Sequence, residues 1–154
     1  MLGLNYAKLK KNEEALDFYN SALAIQPQSL SVLHSLAILY DEIGEWIKSD
    51  KIYNQLIQAD SSDAQAFNNY AYSLVERNEK LNKALAYAKK AIKLDPNNPS
   101  YLDTIGWVYY KLNDLKKAKK YIEQSISIQG DNAVVLEHLG DVLMKTNDWT
   151  NASV

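Results

Sequence analysis

Residues 99–132 read PSYLDTIGWVYYKLNDLKKAKKYIEQSISIQGDN. In the first half, Leu102, Ile105, Gly106 and Tyr109 fall at i, i+3, i+4 and i+7, the spacing that places side chains on one face of a helix. Pro99 suits a first helical position, where its missing N–H costs nothing, and Asn98 before it can cap the exposed amides. After a polar break, Ala118 and Ile122 open a second apolar stripe. The stretch predicts two consecutive helices of about 14 residues each.

The same arrangement recurs on both sides. Ala15, Ser49, Ala84, Ala118 and Ala152 stand at equivalent places, separated by 34, 35, 34 and 34 residues. The extra residue of the third repeat is expected within Arg77–Leu81. The repeats are then 1–29 (without its head), 30–63, 64–98, 99–132 and 133–154 (without its tail), together one domain over 1–154. The first reads Leu2, Gly3, Tyr6, Ala15, Tyr19, Pro27, and the second Leu33, Leu36, Ala37, Tyr40, Ser49, Tyr53. The third reads Phe67, Tyr70, Ala71, Leu74, Ala84, Ala88, Pro96, and the fifth Leu136, Leu139, Gly140, Leu143, Ala152.

This pattern resembles the tetratricopeptide repeat, W-x2-L-G-x2-Y followed by A-x3-F and then P. The resemblance covers essentially the whole chain, and five copies in register make it specific. The departures are mild. Leu or Phe stands for the leading Trp, Ala for Gly in two repeats, and Ser61 or Gly130 for the closing Pro in two others. The resemblance implies an all-α fold: a right-handed α-solenoid of stacked antiparallel helix pairs, A then B, with about five repeats and both terminal ones incomplete. One pair cannot bury its apolar faces alone, so stacking must do it. The small residue at Gly3, Ala37, Ala71, Gly106 and Gly140 is expected where two helices approach closely. Gly44 and Asn78 are expected to end helices in a left-handed turn. Ser29, Ser62 or Asp63, and Asp131 or Asn132 are further cap candidates. Trp46 and Trp149, both at the start of a helix B, are expected to pack between the helices of a repeat, and Tyr87 and Tyr121 against neighbouring helices.

Composition narrows the function. Lys plus Arg total 17 and Asp plus Glu 19, a net charge of −2 without the basic surplus of a dedicated nucleic-acid binder. There is no cysteine, which excludes disulfides, thiolate metal sites and thiol catalysis. His34 and His138 lie in different repeats, with no metal-ligand neighbour at i+3 or i+4. No Gly-rich phosphate loop and no nucleophile-elbow serine is present. No enzyme, metal or cofactor is expected. No apolar run of about 18 residues is present, so no membrane span is expected. No export signal follows Met1, and cytoplasm and periplasm are both compatible. Asn68–Leu74 and Leu102–Leu112 resemble repeats of bacterial cell-envelope and cytoplasmic scaffold proteins.

What remains is a binding surface. The resemblance implies that a peptide or helix of a partner protein lies in the concave groove lined by the first helices of the repeats. Carried over position by position, the candidate contacts are His34, Asn68, Asn69, Tyr72, Asp103, Trp107, Tyr110 and Asp141. Tyr72, Trp107 and Tyr110 would form an aromatic patch, and Trp107→Ala with Tyr110→Ala is expected to lose binding without loss of helix. Asp41, Glu42, Glu76, Asp103, Glu137 and Asp141 outnumber Lys8, Lys111 and Lys145 at groove positions, which favours a neutral or basic ligand. A subclass of the family clamps a carboxylate terminus with Lys and Asn, then Asn, then Lys and Arg. Asn69 matches the middle Asn, but His34 and Ile38, then Ser100 and Thr104, replace the others, so no clamp is expected. The alternative role is a spacer or assembly segment of a larger protein, contacting neighbours by its ends and its lysine-rich convex face (Lys83, Lys89, Lys90, Lys93, Lys116, Lys117, Lys119, Lys120). Met1 falls partway through a first helix and Val154 one turn into a last one. A piece of a longer repeat protein is therefore expected, with end-to-end self-association of the isolated segment.

Overall fold

A computed structural model of the chain describes residues 2–146, with side chains from 8 onward. Among them are eight α-helices and no strand: α1 (Leu2–Ile25), α2 (Leu30–Glu42), α3 (Trp46–Ala59), α4 (Ala64–Glu76), α5 (Leu81–Leu94), α6 (Pro99–Lys111), α7 (Leu115–Ile128) and α8 (Ala133–Lys145). They fall into two compact sections, Met1–Ser61 and Ser62–Val154.

In the first section α2 packs against both α1 and α3. Leu33, Leu36, Ala37 and Leu39 of α2 and Ile52, Tyr53 and Leu56 of α3 are buried. Ser49 is buried as well, and its hydroxyl donates to Asp41 at 2.6 Å, while the Tyr53 hydroxyl donates to the other Asp41 oxygen at 2.9 Å. Asp41, expected among the groove acids, is thus tied to the second helix of its own repeat. Trp46 opens α3 but is 47% exposed, so it covers less of the pair than its register suggests. Trp149 and Ala152 lie outside the described residues.

The first repeat departs from expectation, because α1 is one unbroken helix where a helix pair was predicted. Sequence register explains it. The residue that ends a first helix is Gly44 in the second repeat (φ 78), Asn78 in the third (φ 54) and Asn113 in the fourth (φ 64). These types enter the left-handed region at little cost. The equivalent position in the first repeat is Lys10, followed by strong helix formers, and the helix runs on.

In the second section the helix pair α4–α5 fills repeat 64–98 and α6–α7 fills 99–132, with α8 beginning the next. Each turn between first and second helix closes the same way. The left-handed residue donates its N–H three residues back, and its successor donates five back: Asn78 to Val75 and Glu79 to Leu74, then Asn113 to Tyr110 and Asp114 to Tyr109. This pairing satisfies the last carbonyls of the helix. The 35-residue repeat holds its extra residue in this turn, where Lys80 takes a second left-handed conformation (φ 44). Asp63, Asn98 and Asn132 each cap the following helix through a side-chain oxygen, and Pro99 sits in the first turn of α6. Ser29 precedes α2 without a side-chain cap bond.

Small residues decide the spacing of the pairs. Ala71, Ala84, Ala88, Ala91 and Ala118 are fully buried. A Cβ at Gly106 would lie 2.6 Å from Ile122 Cγ1 and 3.2 Å from the Ala118 carbonyl oxygen, so α6 and α7 meet where no side chain fits. Farther along, the Ser125 hydroxyl donates to the Pro99 carbonyl at 2.8 Å. Tyr87 packs against Phe67 and Tyr70, and Tyr121 stacks on Tyr109, as their positions suggested. Besides their sequence neighbours, α4 touches α6 and α6 touches α8, so the first helices of successive repeats lie side by side. The close approach at Gly106 predicts that Gly106→Val lowers stability by about 2–3 kcal/mol through overpacking. Gly130→Ala, whose Cβ would meet the Ile126 carbonyl at an ordinary 3.5 Å, should stay within about 0.5 kcal/mol. Urea denaturation of both variants checks the contrast.

Candidate functional site

The first helices of the second section bring together a shallow depression of about 260 Å³. Asn68, Asn69 and Tyr72 come from α4, and Ser100, Asp103 and Thr104 from α6. Asn132, Val134 and Val135 close it at the start of α8. Four of the candidate residues thus converge: Asn68, Asn69, Tyr72 and Asp103. Tyr72 is 37% exposed and offers a ring face. Burial first, then the carboxylates of Glu76 and Asp103, hold its hydroxyl above the ordinary tyrosine pKa, so it remains a protonated donor.

Trp107 and Tyr110 sit beside this depression rather than in its lining. The Trp107 indole is 7% exposed and lies between two rings. Tyr110 stacks on it at 4.6 Å and 5°, and His138 at 4.0 Å and 13°. Its Nε1–H donates to Glu76 Oε1 at 2.7 Å, so it links α4, α6 and α8. Lys111 lies over the Trp107 ring and Lys145 over Tyr110, at 4.7 and 4.5 Å from the centroids. Asp141 is a half-buried residue of α8. His34 is half-buried on α2 in the first section.

The sequence did not reveal what His138 does. It is buried, and its Nδ1 lies 3.0 Å from both oxygens of the equally buried Asp103. Donation from Nδ1–H fixes the imidazole tautomer and the carboxylate orientation together. The two residues are 35 apart, one repeat length plus one, and that spacing was the available signal. Near them, Asn68 is 7% exposed. Its Nδ2 reaches Asn69 Oδ1 at a long 3.5 Å, and its buried Oδ1 has no hydrogen-bond partner. Among the described residues no group of three or more His, Asp or Glu converges as a metal ion would require, and no helix is long and apolar enough to cross a membrane.

Comparison with known proteins bears on this geometry. Two family models, each described as tetratricopeptide repeat, match residues 1–29 with 99–132 and residues 35–99. The chain belongs to the tetratricopeptide repeat family. A TPR repeat-containing protein of Pseudomonas aeruginosa is 29% identical over 105 residues, 68% of this chain and 18% of that protein. The chain therefore spans about a fifth of the length of such a relative. A structure from the functional characterization of Pseudomonas aeruginosa pilF is 26% identical with a TM-score of 0.79, covering 98% of this chain and 68% of that one. The first TPR of Spaghetti (RPAP3), solved bound to the HSP90 peptide SRMEEVD, gives a TM-score of 0.70 at 19% identity, covering 78% of this chain and 94% of that one. The fold of this tetratricopeptide repeat protein is all-α, as its repeats required. Within it, Trp107→Ala should cost about 3–5 kcal/mol, since it removes a buried ring stacked on Tyr110 and His138. Trp107→Phe should cost markedly less; guanidinium melts followed by circular dichroism distinguish the two.

Proposed function

We infer a scaffold role, since tetratricopeptide repeats generally mediate protein–protein interactions and their fold is typically non-catalytic. We propose that this chain serves as such a scaffold, without catalysis of its own, and that it holds a peptide or helix of a partner protein along the first helices of its repeats. The observation that carries this is the convergence of Asn68, Asn69, Tyr72 and Asp103 on one open depression from two adjacent repeats. Amide side chains can pair with a ligand backbone while a tyrosine face supplies apolar contact. Trp107 then positions the surface through its stack with Tyr110 and His138 instead of contacting the ligand over its face.

The ligand class differs from that of the peptide-bound neighbour. SRMEEVD carries three acidic residues. The depression here contains Asp103 and no cationic side chain among its lining residues. A neutral or basic segment fits this surface, since an acidic one would bring like charges together. Asp141 and, in the first section, His34 are further candidate contacts.

A pull-down with the intact protein, followed by mass spectrometry, identifies the partner. With it in hand, Asn69→Ala combined with Tyr72→Ala should weaken binding at least about tenfold, with unchanged helical circular dichroism. Charge reversal at Lys89 and Lys93 on α5 should leave affinity intact. The opposite outcome, loss on lysine reversal with groove variants silent, would transfer the role to assembly through the convex side.

A further inference from the structure

We propose that the α4–α6–α8 depression is a slot for a guanidinium, the arginine side chain of the bound partner segment. This rests on the groove proposal and specifies its ligand chemistry. Hydrogen-bond accounting around the depression leads to it. A helix start usually offers free N–H groups to an anion. Here those of α6 are taken: Ser100 and Tyr101 donate to the Asn98 side chain and Leu102 to its carbonyl. The same holds at α8, where Val134 and Val135 donate to the Asn132 side chain and Leu136 to its carbonyl. The Thr104 hydroxyl donates to the Ser100 carbonyl at 2.9 Å. Among the most buried lining groups, two acceptors are short of donors. Asn68, which lines the depression, has its Oδ1 buried without a partner. The two oxygens of Asp103 share a single described donor, His138 Nδ1, although an ionised carboxylate accepts about four hydrogen bonds.

A buried unpaired acceptor and an under-bonded buried carboxylate both cost free energy in the empty protein. A ligand that brings several donors and a positive charge removes both costs. Guanidinium carries five N–H donors in one plane and stacks on aromatic faces. Tyr72, 37% exposed, supplies an aromatic ring within the influence of the Glu76 and Asp103 charges. The cations of these helices are elsewhere: Lys111 and Lys145 lie over Trp107 and Tyr110 in the last turns of α6 and α8.

The test uses the 15N-labelled chain and two blocked pentapeptides, acetyl-Gly-Gly-Xaa-Gly-Gly-amide, with Xaa either arginine or its neutral isostere citrulline. Arginine peptide is expected to shift the Asn68 side-chain amide and the backbone amides of Tyr72, Ser100 and Asp103. Citrulline peptide should need about tenfold higher concentration for the same shifts. Asn68→Leu should erase the preference for arginine while leaving the melting temperature unchanged or raised, because it deletes an acceptor that is unpaired in the free protein. Asp103→Asn should erase it with the side-chain shape retained. Equal titration of the same resonances by both peptides would overturn the guanidinium slot and leave the groove standing. Absence of shifts there with either peptide at millimolar concentration would overturn the slot together with the groove.

Discussion

The distance between the two helices of a repeat constrains the rest of the structure. Gly106 faces Ile122 and the Ala118 carbonyl with no space for a methyl group, and alanines fill the corresponding interior positions. Close approach brings the backbones of α6 and α7 together and turns the larger apolar residues, Leu102, Ile105, Val108 and Ile122, into a continuous buried layer. Burying such side chains is worth roughly 1.5–3 kcal/mol each. Because a single pair has too little interior of its own, its remaining apolar faces must meet the next pair.

That packing also shapes the depression on the first helices. With second helices packed behind them, α4, α6 and α8 lie side by side. Positions one turn apart on each then face the same depression, Asn68 with Tyr72 on α4 and Ser100 with Asp103 and Thr104 on α6. The walls are stiffened by links between repeats: Trp107 to Glu76, Trp107 against His138, and His138 to Asp103. Of these, only the His138–Asp103 bond is polar and buried at both ends, and Asp103 receives no second described donor.

Charge is distributed in keeping with that division. Lysines on the second helices lie against tyrosine rings, Lys83 over Tyr70 and Tyr87, Lys117 over Tyr109, so part of the basic face contributes to packing through its aromatic contacts. An exposed cation–π contact is worth about 0.5–1 kcal/mol. The lysines therefore do more than keep the outer side solvated.

Much of this was legible in the sequence because it depends on local rules. Apolar spacing, the 34-residue period, caps at Asp63, Asn98 and Asn132 and the left-handed turns at Gly44 and Asn78 require nothing beyond neighbours in the chain. Even the failure in the first repeat, where Lys10 stands at the turn position, was written there, although the period invited a break. Register alone put Asn68, Asn69, Tyr72 and Asp103 on one side of their helices, and these four line one depression. It could not tell Tyr72, left open, from Trp107, enclosed by Tyr110 and His138, because enclosure is decided by a helix one repeat away. It placed Asp41 in the groove although Ser49 and Tyr53 draw it inward. The sequence by itself determined that the chain is a run of helices repeating about every 34 residues. Only the tertiary structure decided which polar groups are satisfied, because bonds such as that from His138 to Asp103 join helices of different repeats, and whether the side chains meet depends on how those helices pack.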